Sequence, residues 1–140
     1  MCQLLFVFDF DDTLCSTNTV IKVINNQTQE RFDLSTHQWR QHKVDHELYT
    51  YDWSQFQCLD SSYQPIKQTL DYIKEIYDAY GHMSLYVLTA RGSPKGPQEF
   101  LKIFNLDNIE VVALGIKADK SSGKADWIRQ QIIERDIRYV

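Results

Sequence analysis

The sequence predicts a single α/β domain built on a mainly parallel sheet. Two short apolar runs, residues 4–8 and 85–88, read as strands buried on both faces. Between them lies an amphipathic helix in which Ile66, Leu70, Ile73, Tyr77 and Tyr80 recur at alternating steps of four and three. Strand-like and helix-like segments then alternate to the end of the 140 residues, as in a doubly wound sheet.

The elements follow in order. Residues 4–8, Leu-Leu-Phe-Val-Phe, form the first strand and run directly into acids. Residues 19–24 and 30–35 flank Asn25-Asn26-Gln27-Thr28 and predict a hairpin. Ser35 or Thr36 caps a short helix reaching about His46, and an aromatic-rich loop with Tyr49, Tyr51, Trp53 and Phe56 comes next. The helix over 63–80 has Pro65 near its start and Gly81 after its end. The strand 85–88 closes in Thr89-Ala90-Arg91-Gly92. A Pro/Gly loop leads to a helix at about 97–104 and a third strand at about 109–114. After a polar stretch from Lys117 to Gly123, a helix covers about 124–134, and residues 136–140 look like the opening of a fourth strand.

Composition narrows the functional classes. A chain of 140 residues buries one core and leaves little room for a second. Its 43% hydrophobic and 24% charged residues are those of a soluble globular protein. No run approaches the ~20 apolar residues of a membrane span, so no membrane partner is expected. The first residues lack the basic leader, long apolar core and cleavage site of a secretory signal. Cys2, Cys15 and Cys58 are odd in number and form no Cys-x-x-Cys pair, so reduced thiols and a cytoplasmic location are expected. Residues 1–70 carry five Lys/Arg against nine Asp/Glu, whereas residues 71–140 carry ten of each. Arg91, Lys95, Lys117, Lys120 and Lys124 lie near predicted strand ends, which suits a phosphate-bearing substrate. No long basic stripe is present to track a polynucleotide.

The chemistry concentrates in Phe8-Asp9-Phe10-Asp11-Asp12-Thr13-Leu14. Open α/β sheets bind ligands beyond the carboxyl ends of their strands, which is where these acids fall. A helix cap needs one acid rather than three. Three carboxylates within four residues repel one another and lose hydration, a cost that a divalent cation removes. Oxygen ligands on a tight turn suit Mg²⁺.

Asp-x-Asp-x-Thr after an apolar strand resembles the first signature of the haloacid dehalogenase superfamily, and the resemblance covers most of the chain. It implies a Rossmann-like three-layer sandwich with a core of residues 1–14 and 61–140 and a small flap or insert at about 15–60. The implied activity is Mg²⁺-dependent hydrolysis of a phosphate monoester through an aspartyl-phosphate. Asp9 would be the nucleophile, Asp11 the general acid and then base, and Thr13 a support of the loop. Asp9 and the backbone carbonyl of Asp11 would hold the metal. Thr89 matches a hydroxyl that donates to a phosphoryl oxygen, and Lys124 a lysine that offsets its charge, with Lys120 and Lys117 as fallbacks. Arg91 reads either as a grip on substrate phosphate or as a surface arginine. The expected substrate is a phosphorylated small molecule, or a nucleic-acid or protein phosphate.

One departure shapes the alternatives. The superfamily's fourth signature, an acidic pair after the next strand, has no counterpart before Val140, and neither Asp119 nor Asp136 has the right position in the chain. The expectations are therefore a truncated member, or a catalytically impaired module that binds phosphate or a partner. An open strand edge at that place predicts a homodimer. A phosphorelay receiver needs an acceptor Asp where Ala113-Leu114-Gly115 stands. His42 and His46 could share a metal, but without a third ligand a solvated helix face is favoured. The aromatics of the insert could form a lid over a substrate ring; packing against the main domain is favoured.

Overall fold

The structure is a computed structural model that describes residues 4–115 and 122–140. In chain order its first half contains β1 (Phe6–Phe8), β2 (Cys15–Ser16), β3 (Ile21–Asn25), β4 (Arg31–Leu34), α1 (Thr36–Gln41) and β5 (Tyr49–Asp52). The second half contains β6 (Gln64–Pro65), α2 (Lys67–Tyr80), β7 (Leu85–Thr89), α3 (Lys95–Ile103), β8 (Glu110–Ala113) and α4 (Ser122–Arg135).

The apolar runs pair as expected of buried parallel strands. β1 lies beside β7 with Phe6 opposite Leu85 and Phe8 opposite Val87, and β7 lies beside β8 with Val87 opposite Val111. Side chains alternate across β7. Leu85 and Val87 join a core with Leu70 and Ile73 of α2 and with Phe100 and Leu101 of α3. Tyr86 points the other way and meets Trp127 of α4, ring centroids 5.2 Å apart.

The chain is thus a mixed α/β protein with a mainly parallel three-stranded sheet and antiparallel sheets beside it. The expected three-layer sandwich is not clear in it. β3, β4 and β5 make their own antiparallel sheet in the order β4-β3-β5, and β2 and β6 form a two-stranded one. The segment expected to open a fourth strand contributes one parallel bridge, Tyr139 to Leu4, with the Leu5 N–H donating to the Tyr139 carbonyl at 2.9 Å.

The hairpin forms where its turn residues predict it, and the sheet around it carries a second core of Ile21, Val23, Leu34, Trp39 and Phe56. Ser35 and Gln38 form a reciprocal capping box that starts α1. This helix ends at Gln41 rather than near His46 because His42 turns extended. The His42 ring stacks beside Trp39, and its Nε2 lies 2.7 Å from the Tyr51 hydroxyl. Residues 49–52, expected as loop, are a strand: Tyr-Thr-Tyr-Asp alternates, and Tyr51 pairs opposite Val23. α2 begins at Lys67 rather than 63 because Gln64 and Pro65 are held against Ser16 and Cys15. The Ile66 N–H donates to the Leu14 carbonyl at 2.9 Å, so the insert leaves and rejoins the chain at one place. Among the described residues, no helix is long and apolar enough to cross a membrane.

Candidate active site

The turn after β1 is wound around one carbonyl. The Phe10 oxygen accepts from the N–H groups of Thr13, Leu14 and Cys15 at 3.2, 3.0 and 3.3 Å, and the Asp12 N–H donates to the Cys15 carbonyl at 2.8 Å. Closing this turn puts Asp12 in the left-handed region at φ 60°. Aspartate tolerates that conformation at a cost of about 1 kcal/mol. Phe10 is fully buried edge-on against Phe100, centroids 5.5 Å apart, which anchors the turn between Asp9 and Asp11.

Each carboxylate then finds its own partner. Asp9 Oδ1 accepts from the Phe10 N–H at 2.8 Å and from Lys124 Nζ at 2.6 Å. Lys124 stands in the first turn of α4, 115 residues away in sequence. Asp11 is gripped through both oxygens by Arg91, with Nε to Oδ2 at 3.0 Å and Nη2 to Oδ1 at 2.7 Å. The exposed Asp12 accepts from the Thr36 hydroxyl at 2.7 Å, which ties the turn to α1. The like-charge cost foreseen in the sequence is offset here by two cations and a hydroxyl. Thr13, expected to support the loop, contributes its backbone N–H to the Phe10 carbonyl.

Thr89 and Arg91 leave the carboxyl end of β7 on a rigid footing. The Thr89 carbonyl accepts from the Leu114 N–H at 2.9 Å, and the Arg91 carbonyl from the Gly115 N–H at 3.1 Å. Thr89 is fully buried and its hydroxyl oxygen accepts from the Arg91 N–H at 3.1 Å, which leaves its own proton to be donated. Arg91 is only 3% exposed, so the surface-arginine reading does not hold. Its guanidinium faces Asp11 and the Phe56 carbonyl, the latter at 3.5 Å from Nη1. A buried cation needs a partner, and Asp11 supplies it. The Phe10 and Phe56 rings lie 5.1 and 5.0 Å from the guanidinium carbon.

The remaining candidates sort by position. Lys117, Lys120 and Asp119 lie outside the described residues. Asp136 is exposed beyond the end of α4, at φ 52°. His42 is bonded to Tyr51 and half-buried, so only His46 keeps the expected solvated position. Trp39 packs edge-on against Trp53 and Tyr51 within a core of the insert's own, rather than against the main domain as expected. Cys15, buried behind the turn, has its thiol pushed up to about 12, first by burial and then by the negative charge of Asp11. It stays protonated and is a poor nucleophile.

Two contributors went unnoticed in the sequence. Phe56 is one aromatic among several in the sequence, and its contact with Arg91 sets it apart. Gly96, inside an expected Pro/Gly loop, leaves room for the arginine: a Cβ there would sit 2.8 Å from Arg91 Nη1 and 3.2 Å from the Cys58 carbonyl.

Hard oxygen donors for a cation are present. Among the described residues no three His, Cys, Asp or Glu side chains converge on one point. Mg²⁺ does not require that, since one or two carboxylates with waters and substrate oxygens commonly hold it. Asp9 offers about four lone-pair positions, of which the Phe10 N–H and Lys124 take two, and the Asp11 backbone carbonyl lies on the same turn. Asp9 and Lys124 open onto a groove shared with Phe8, Leu88, Ile128 and Val140. Comparison with protein-family models, with curated proteins and with solved structures finds no match to this chain.

Proposed function

We propose that this chain is a Mg²⁺-dependent phosphohydrolase of the haloacid dehalogenase type, acting on a phosphate monoester. The observation that supports the reading is the ion pair between Asp9 and Lys124 at the carboxyl end of β1, with Asp11 on the turn that follows and Thr89 at the end of β7. A nucleophilic carboxylate, a second carboxylate, a hydroxyl and a lysine are the groups that phosphoryl transfer uses for attack, proton transfer and charge stabilisation.

In this reading one Asp9 oxygen attacks phosphorus, the bond to the ester oxygen breaks, and Asp11 gives that oxygen a proton. The products are the free alcohol and an Asp9 aspartyl-phosphate. Asp11 then takes a proton from water, whose oxygen attacks phosphorus, releasing inorganic phosphate and restoring Asp9. Thr89 donates to a phosphoryl oxygen, and Lys124 moves its contact from Asp9 toward the phosphoryl group. Asp9 and the Asp11 backbone carbonyl would hold Mg²⁺, which would neutralise charge on the nucleophile and the phosphate.

The same reading takes the architecture as Rossmann-like and three-layered, with α2 and α3 against one face of the parallel sheet and α4 against the other. It takes the protein as cytoplasmic, in keeping with the unpaired thiols of Cys15 and Cys58. The substrate is a small phosphate ester, or a phosphate on a nucleic acid or protein. The test is hydrolysis of para-nitrophenyl phosphate. Turnover that requires Mg²⁺ and is abolished by Asp9→Asn supports the reading, and turnover that survives this substitution overturns it.

A second reading has its own support. Both functional carboxylates are already paired with cations, Asp9 with Lys124 and Asp11 with Arg91. A module that only binds phosphate or a partner would keep such pairs. Saturable phosphate binding without any turnover favours it.

A further inference from the structure

We propose that Phe56, from the insert, is a positioning residue that acts on Asp11 through Arg91. The inference rests on the phosphohydrolase reading for its functional meaning, but its geometry stands apart from it.

Phe56 belongs to two places at once. It is 4% exposed and part of the insert's core, its ring 5.5 Å from that of Trp53. A short 3-10 turn, Ser54–Phe56, sets its direction, and the Asp52 carboxylate caps that turn by accepting from the Ser54 N–H at 2.9 Å. On its other side Phe56 meets Arg91 twice, through its ring at 5.0 Å and its carbonyl at 3.5 Å. The Phe10 ring lies 5.1 Å from the same guanidinium carbon. The planar fork is thereby held in one orientation, and the fork fixes the plane of the Asp11 carboxylate through two parallel hydrogen bonds.

A proton-transferring carboxylate must be held within about 0.5 Å of its productive place, and a misplacement of about 1 Å costs on the order of a hundredfold in rate. Neither Phe56 nor Arg91 needs to touch substrate for this. A buried cation in contact with two rings is a fixed support, so it presents Asp11, whose oxygens each keep a further lone pair for the reacting group. Seating of the insert thus controls the acid–base group: when the insert shifts, Phe56 shifts with it, and Asp11 loses its alignment.

The experiment uses the whole chain with Mg²⁺ and para-nitrophenyl phosphate. Phe56→Leu keeps apolar bulk in the insert's core and removes the ring. It is expected to lower kcat by about tenfold, to leave KM within about twofold, and to cause no further loss in an Asp11→Asn background. Arg91→Lys keeps the charge but not the fork and is expected to behave in the same way. Losses that multiply with that of Asp11→Asn overturn the inference, as does a rise in kcat, which would make the clamp a brake. A wild type without Mg²⁺-dependent turnover is a failure of the phosphohydrolase reading instead. The clamp is then read by NMR: the Arg91 Nε–H is expected to exchange slowly in the wild type and about tenfold faster or more in folded Phe56→Leu. An unchanged exchange rate overturns the inference whether or not the chain is an enzyme.

Discussion

Lys124 offers a test in which stability and catalysis separate. Its ammonium lies 2.6 Å from Asp9 Oδ1, and the two side chains are 31% and 33% exposed. At an effective dielectric constant of about 20 the bare attraction is about 6 kcal/mol. Solvent screening and the ordering of a long side chain reduce such half-open pairs to about 1 kcal/mol of net stability. In the proposed phosphoryl transfer the same group would face negative charge spreading over the phosphoryl oxygens, where a preorganised donor contributes about 3 kcal/mol, or roughly a hundredfold in rate. Lys124→Ala is therefore expected to cost about 1 kcal/mol in urea unfolding and about a hundredfold in kcat for para-nitrophenyl phosphate. Lys124→Arg should recover part of the rate, since charge returns with altered reach. A folded Lys124→Ala protein whose kcat stays within about threefold of wild type would refute this reasoning. Lys124 would then be an ordinary helical lysine.

Further predictions rest on other parts of the site. Gly96→Ala places a Cβ 2.8 Å from Arg91 Nη1 and 3.2 Å from the Cys58 backbone. It is expected to cost about 1–3 kcal/mol in thermal or urea unfolding, and a fully neutral effect would mean that the arginine has room to move. The Cys15 thiol is held near 12 against an ordinary 9.0, so the folded state keeps a proton that the unfolded chain releases first. That contribution is fully present below pH 9 and is lost as pH rises toward 12, so wild type should lose stability across this window faster than Cys15→Ala. Equal slopes would contradict the assignment. Beyond the Leu4–Tyr139 bridge, no strand among the described residues covers the outer edge of β1, so light scattering should detect a dimer as concentration rises. A clean monomer at high concentration would count against it.

Where each part of this molecule was legible in the sequence has a physical reason. The runs that form β1 and β7 are apolar on both faces because helices meet both sides of β7, and such runs stand out without knowledge of the partners. The hairpin was readable because Asn25-Asn26-Gln27-Thr28 is a turn by its own local bonding, with Asn25 Oδ1 accepting from the Gln27 and Thr28 N–H groups. β5 is hard to read because Tyr49-Thr50-Tyr51-Asp52 alternates over only four residues, and its pairing with β3 makes it a strand. The early end of α1 and the late start of α2 depend on contacts made across the insert, His42 with Tyr51 and Ile66 with Leu14, which no local propensity encodes.

The site divides in the same way. Asp9, Asp11 and Asp12 were visible because their spacing is local. Lys124 was visible because it opens a helix. The pairing of Arg91 with Asp11 spans 80 residues, and nothing near Arg91 distinguishes a buried fork from a surface cation. Phe56 and Gly96 bear on the site through that arginine, a contact that no local pattern encodes.

The central claim is that the turn after β1 aims an Asp9 oxygen at phosphorus, and a crystal grown with Mg²⁺ and beryllium fluoride tests it most directly. The expected result is the fluoride adduct joined to Asp9, with Lys124 moved onto it, Thr89 donating to it and a cation on Asp9 and the Asp11 carbonyl. Finding Asp9 still held by Lys124 and Asp11 still held by Arg91, with neither ion nor adduct beside them at saturating concentrations, would contradict it.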